Sequence, residues 1–138
     1  MAQTHVYELE VTASAIDANG HANNVEYLRW MQEAATSHAA AVGCTAATRA
    51  AGATWVVRSH HIEYLRPAFA GDVVEVRTWV ADFRRAFSLR KYEFVRCGDR
   101  TVLARGETDW IFVDVSSGRP RSVPQQIQAL FEVQAASA

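Results

Sequence analysis

One stretch limits the fold of this chain more than any other. Between Asn24 and Val42 the residues Val25, Leu28, Met31, Ala35, Ala39 and Val42 recur at three- and four-residue spacing, which lays one apolar stripe along a helix. Asn23 followed by Glu26 reads as its capping pair, the Asn accepting an orphan amide hydrogen and the Glu favouring the positive helix end. The spacing therefore predicts a helix from about Asn24 that stops at Gly43. Ala34, Ala35, Ala39, Ala40 and Ala41 make its second half narrow, so its backbone can lie close to whatever it packs on. No second amphipathic segment of this length occurs in the sequence.

The rest reads as strands. Thr4 to Ser14 partly alternates polar and apolar residues, and Ala15 to Ala22 breaks that pattern as a loop leading into the helix. A small-residue connection from Cys44 to Ala53 is followed by four strand segments: Thr54 to Leu65, Asp72 to Phe83, Ala86 to Cys97 and Thr101 to Val115. Gly98-Asp99-Arg100 suits a hairpin turn, and Gly118-Arg119-Pro120 ends the last strand. Pro124 opens a short helix over Gln125 to Val133, with Ile127, Leu130 and Phe131 on one side. A strand, a long helix and four long strands imply an α+β fold, one curved antiparallel sheet covered by the only long helix available. Without a linker or repeat, residues 1–138 are read as one domain. Its open sheet edges favour a symmetric dimer, or a dimer of dimers.

Composition narrows the function classes. A chain of this length buries roughly 68% of its unfolded surface, enough to fold without disulfides or a structural metal. The net charge of -1 provides no overall field for nucleic acid or an anionic membrane, so any anionic ligand needs a local basic cluster. Cys44 and Cys97 lie far apart without metal-ligand spacing and read as two buried thiols. Neither a signal-type N-terminus nor an apolar run long enough for a membrane span is seen, so a soluble cytoplasmic protein is expected.

The densest polar cluster, Asp17-Ala18-Asn19-Gly20-His21-Ala22-Asn23-Asn24, lies where a strand hands over to a helix start. Free amides at a helix start stabilise developing negative charge, and a neighbouring carboxylate can act as nucleophile or general base, a combination suited to attack on a carbonyl. The run DANGHANNVEYLRWMQEA resembles the DxxGHVNNxxYxxxxEea signature of hotdog-fold thioesterases of the 4-hydroxybenzoyl-CoA thioesterase type. HHIEYLRPAFAGDVVEVRTWV is similar to that family's YxxPaxxGD strand and turn, and ARGETDWIFVDVSSGRPRSVP to its last strand and tail. The Asp-x-Asn-x-His spacing of Asp17, Asn19 and His21 also resembles the motif of plant acyl-carrier-protein thioesterases.

The resemblance implies a hotdog fold, a sheet wrapped round one helix, and hydrolysis of an acyl-CoA thioester in fatty acid metabolism. Asp17 matches the family's catalytic carboxylate, which attacks the thioester carbonyl or activates the water that does. Asn19 and His21 would orient Asp17 and the water or bind the carbonyl, and Asn24 with its backbone would supply the oxyanion site. Two departures stand out: Ala15 replaces an acidic residue often found two positions before the Asp, and Asn24 stands where some bacterial members have His. Each residue also has a plain structural role open to it, Asp17 in an Asx-turn, Asn19 and His21 in the turn itself, and Asn23 as cap. Glu33 reads as an ion-pair partner of Arg29, or as a second carboxylate, and Tyr27 and Trp30 as packing groups.

A CoA ligand needs cations for its phosphates. The richest cluster is Arg84-Arg85 with Arg90-Lys91 near a strand turn, so Arg84, Arg85 and Arg90, together with Arg58 on another strand, are the expected contacts. Strand alternation would put Arg58 and His60 on one face and His61 on the other, and no third ligand is spaced to make the His pair a metal site. No metal or redox cofactor is expected beyond the CoA moiety of the substrate. Rival functions are an acyl-carrier-protein thioesterase and a non-catalytic acyl-CoA-binding hotdog. A hydratase is weaker, because Gly71-Asp72 is followed by Val73 and not by that class's motif.

Overall fold

The computed structural model describes residues 4–131. Five strands, β1 (His5–Glu10), β2 (Ala53–Tyr64), β3 (Val73–Arg84), β4 (Phe87–Arg96) and β5 (Val102–Asp114), form one sheet in the order β1-β3-β4-β5-β2. Every neighbouring pair is antiparallel. The helices are α1 (Asn24–Ala41), α2 (Cys44–Ala50) and α3 (Gln125–Gln128).

Alternation decides which face of the sheet meets α1. In β3, Val74, Val76, Thr78 and Val80 are buried, and in β4 Ser88, Arg90, Tyr92 and Phe94 are buried in the same phase. The opposite face carries ion pairs, including Arg77 to Glu75 at 3.0 Å and Arg105 to Glu93 at 3.5 Å. Gly106 in β5 permits the close approach of α1. A Cβ there would meet Met31 Cε and the His61 carbonyl oxygen, each at 3.2 Å.

Among the described residues the core has two apolar clusters, one under each half of α1. Tyr27, Trp30 and Met31 pack on Phe94 and Leu103 at the first, where the Tyr27 and Phe94 rings lie 5.2 Å apart. Val80, Phe112, Val123, Ile127 and Phe131 build the second beside Cys44. Tyr27 and Trp30 are thus packing groups, as expected. Burial pushes the Tyr27 hydroxyl up to about 12, so it stays protonated.

Several boundaries and faces differ from the sequence reading. The buried face of α1 is Tyr27, Trp30, Met31, Ala34, Ala35 and His38, and Val25 is 63% exposed. The helix is rotated because its two largest aromatic side chains bury against Phe94. The Cys44–Ala50 stretch forms α2 rather than a loop: Gly43 turns the chain at φ 85, and helix-favouring alanines follow. β1 ends at Glu10, and Ala13–Ala15 forms a 3-10 turn. α3 ends at Gln128, and the Val133 end expected for it lies outside the described residues. Both cysteines are free, but Cys97 is only half-buried. Arg29 pairs with Glu26 at 3.5 Å, not Glu33, which instead accepts from the Tyr7 hydroxyl at 3.2 Å.

Candidate active site

The loop before α1 is pinned by backbone bonds. Ile16 and Ala22 form an isolated antiparallel bridge, and inside it Asp17 N–H donates to His21 O at 3.1 Å while Gly20 N–H donates to Asp17 O at 3.0 Å. Gly20 sits at φ 84, the left-handed region that the turn requires. Outside the bridge, Asn23 N–H donates to Ala15 O at 2.9 Å and Ala22 N–H to Ala68 O at 2.8 Å. The loop is therefore tied to itself and to the segment between β2 and β3.

Within it, Asp17 is half-buried, and its Oδ1 accepts from the Asn19 backbone N–H at 2.9 Å. This is an Asx-turn, which fixes the carboxylate and leaves Oδ2 uncommitted among the described residues. Asn19 contributes its backbone, while its side chain is exposed. His21 packs edge-on against Phe69, with ring centroids 6.4 Å apart. Among the described residues no hydrogen bond joins the Asn19 or His21 side chain to the Asp17 carboxylate.

The helix start is capped as the sequence reading expects, with Asn23 Oδ1 accepting the Val25 N–H at 2.9 Å. Glu26 N–H donates to Asn23 O. The Asn24 N–H has no acceptor among the described residues, so it is an open donor at the positive end of α1. Tyr64 O–H donates to Asn24 O at 3.3 Å, bringing the end of β2 against the same spot.

The cationic residues divide into two places. Arg84 and Arg85 are exposed at the β3–β4 turn, and Arg84 pairs with Asp82 at 3.0 Å and Asp109 at 3.6 Å. Arg58 joins them, because its guanidinium lies over the Phe87 ring, 5.1 Å from the centroid. This contradicts simple alternation. The ladder shifts register between Val57 and Ser59, so Arg58 is the extra residue of a bulge and leaves the face of His60. His60 points the other way and shares a hydrogen bond of 2.8 Å with Thr108, and burial lowers its pKa.

Arg90 does not belong to the surface cluster. It is 5% exposed, in phase with Tyr92 and Phe94 on the helix side of β4, and its Nη1 donates to His38 Nδ1 at 2.9 Å and Thr78 Oγ1 at 3.1 Å. The pleat separates it from its neighbour Lys91, which faces outward. His38 is held down to about 3, first by burial and then by the charge of Arg90 and by His5. His5 stacks on it at 5.0 Å with 7° between the planes. The sequence reading missed this pair, although His38 lies four residues from Ala34 on the buried face.

Residues 11–131 match the model of the thioesterase-like superfamily. The chain belongs to that superfamily. Its sheet wrapped on one long helix is the hotdog fold, shared at a TM-score of 0.83 and 20% identity with a 1,4-dihydroxy-2-naphthoyl-CoA thioesterase of Synechocystis, over 93% of this chain and 95% of that one. A Lactobacillus plantarum protein provisionally assigned as an oleoyl thioesterase matches at 0.89 and 18% identity, over 99% of this chain and 54% of that one. Among curated sequences, a chloroplastic oleoyl-acyl carrier protein thioesterase of Arabidopsis thaliana is 28% identical over 106 residues, 71% of this chain. This thioesterase-like chain spans only 29% of that relative's length. Membership of the superfamily supports thioester hydrolysis.

Proposed function

We propose that this thioesterase-like protein hydrolyses an acyl-CoA thioester, with water and acyl-CoA giving the free carboxylic acid and the CoA thiol. One observation carries the reading: Asp17 holds its carboxylate on a pinned loop just ahead of an open amide at the start of α1. Asp17 attacks the thioester carbonyl directly or takes the proton from the attacking water. The Asn24 N–H, aided by the helix dipole, receives the oxyanion of the tetrahedral intermediate. A thiolate leaves readily, so one carboxylate and one anion site suffice, and the scheme uses no metal or redox cofactor. Asn19 acts through its backbone, and His21 lines the approach beside Phe69.

Arg58, Arg84 and Arg85, at the end of β3 opposite the Asp17 loop, hold the CoA phosphates of a substrate whose thioester lies at the Asp17 loop of a second copy. The protein works in the cytoplasm as a symmetric homodimer or a tetramer built from two such dimers. The twelve-residue edge of β2, which has no strand partner on its outer side among the described residues, supports pairing with a second copy. A second reading, hydrolysis of an acyl-carrier-protein thioester, is favoured by the 28% identical plant relative.

The test follows thiol release from short, medium, long-chain and aromatic acyl-CoAs, and from the matching carrier-protein thioesters, with wild type and Asp17→Asn side by side. Release from CoA substrates that disappears with Asn is the expected result. Turnover confined to carrier-protein substrates selects the second reading. Binding of acyl-CoA without release from either class rejects the enzyme reading in favour of a binding protein.

A further inference from the structure

A cavity of about 470 Å³ opens at the far end of α1, between α1, α2 and the first residues of β2. Its walls are mostly apolar, with Ala39, Ala53, Val80 and Phe131 among them, and no Asp or Glu of the described residues lines it. One buried charge is set into this wall. Arg90 uses Nη1 for both of its hydrogen bonds, to His38 and Thr78, which leaves Nε and Nη2 without a partner among the described residues. Its guanidinium also lies 5.8 Å from the Phe131 ring centroid.

A guanidinium in such a place needs explaining. It keeps its charge at any ordinary pH, and an uncompensated buried charge is costly. The groups on it supply only dipoles: Arg90 has no acceptor role, so His38 Nδ1 must accept and the ring is neutral, and Thr78 offers a hydroxyl. No ion pair to Arg90 exists among the described residues. Arg49 at the cavity rim adds a second positive charge and no negative one. Among the described residues nothing supplies a counter-charge to Arg90.

We propose that this cavity binds a carboxylate carried on an apolar body, the carboxylate docking side-on against Nε and Nη2 of Arg90 and the body lying along the walls. The planar fork of Arg suits two parallel hydrogen bonds to one carboxylate, and the volume lies in the range of small-ligand sites. The site is distinct from the Asp17 loop of the same chain. Ala35, the cavity residue nearest the start of α1, lies eleven positions beyond Asn24, roughly 16 Å along the helix. Binding of a carboxylate at Arg90 does not depend on thioester hydrolysis at the Asp17 loop.

Calorimetric titration at pH 8 with octanoate, 1-octanol and octylamine tests it, because the three probes share one apolar body and differ in the head group. Saturable octanoate binding about tenfold or more tighter than octanol, with octylamine weaker still, is the expected result. Arg90→Met should bring octanoate to the level of octanol. Should that variant fail to fold, Ala39→Phe fills the cavity while leaving Arg90 and its partners in place, and it should abolish octanoate binding. Asp17→Asn should leave the octanoate affinity unchanged. Equal affinity for octanoate and octanol in the wild type overturns the proposal, as does no octanoate binding at all. Tighter octanoate binding in Asp17→Asn also overturns it, since the carboxylate would then sit beside the catalytic loop.

Discussion

Arg90 Nη1 donates to His38 Nδ1 across 2.9 Å in the interior, so a cation rests on an imidazole that must stay neutral. Burial first, then Arg90, then His5, holds the folded His38 at about 3, against 6.5 for the unfolded chain. Between those values the unfolded state binds a proton that the native state refuses, so stability is lost as pH falls from about 6.5 toward 3. At pH 5 the loss from this residue is about 2 kcal/mol. His5 and His60, also lowered, act in the same direction. Urea midpoints between pH 7 and pH 5 should fall in wild type and fall much less in His38→Gln, whose side-chain oxygen still accepts from Arg90. An equally steep acid limb in the variant would reject this account.

Asp17→Asn keeps an oxygen that can accept from the Asn19 N–H, so the turn should survive the change. Thermal stability should shift by no more than about 0.5 kcal/mol, as for an exposed or half-buried substitution without a packing change. If Asp17 supplies the attacking or proton-accepting group, kcat should drop by about 10²- to 10⁴-fold. A stable variant with wild-type kcat would remove Asp17 from the mechanism.

Gly106 sets how closely α1 approaches the sheet. In Gly106→Val the new side chain must displace Met31 and crowd the His61 carbonyl, each only 3.2 Å from the position of an added Cβ. The expected cost is about 1–3 kcal/mol of unfolding free energy, read from urea denaturation. Pairing it with Met31→Ala, which vacates the space, should recover part of the loss. Additive losses would show that the backbone contact with His61 dominates.

Arg85 holds φ 55 at the turn joining β3 and β4, a conformation costly for a side chain with a Cβ. Arg85→Gly should relieve about 1 kcal/mol of that strain and raise Tm. If Arg85 also grips CoA phosphate, the same variant should raise KM for acyl-CoA several-fold at low salt with kcat unchanged, and added salt should narrow the gap. Unchanged KM would return Arg85 to a plain turn role.

Much of this architecture was readable from local pattern. Four long strand segments, the extent of one long helix and the Asn23 cap each obey a rule that acts over a few residues, and each appears in the structure within a few residues of its expected ends. What escaped depended on contacts far apart in sequence. The rotation of α1 follows from Phe94 beneath Tyr27, 67 positions away by the numbering. The bulge at Arg58 arises in the ladder with β5, and α2 carries too few large apolar residues to show a period. Arg90 reads as a surface cation beside Lys91 until its phase with Tyr92 and Phe94 is counted. The polar loop stood out in the sequence, but that Asn19 would serve Asp17 through its backbone depended on how the turn closed.

The bonds from Ala15, Ala68 and His21 that pin the loop around Asp17 carry an energetic consequence. Ordering a free loop of this kind on binding would cost roughly 1–2 kcal/mol for each residue fixed. Here that loss is already incurred when the sheet and α1 assemble, so any ligand that docks at this loop meets a carboxylate and an amide held in place. In the proposed hydrolysis, affinity drawn from the rest of the ligand is then left to act on the reacting carbonyl.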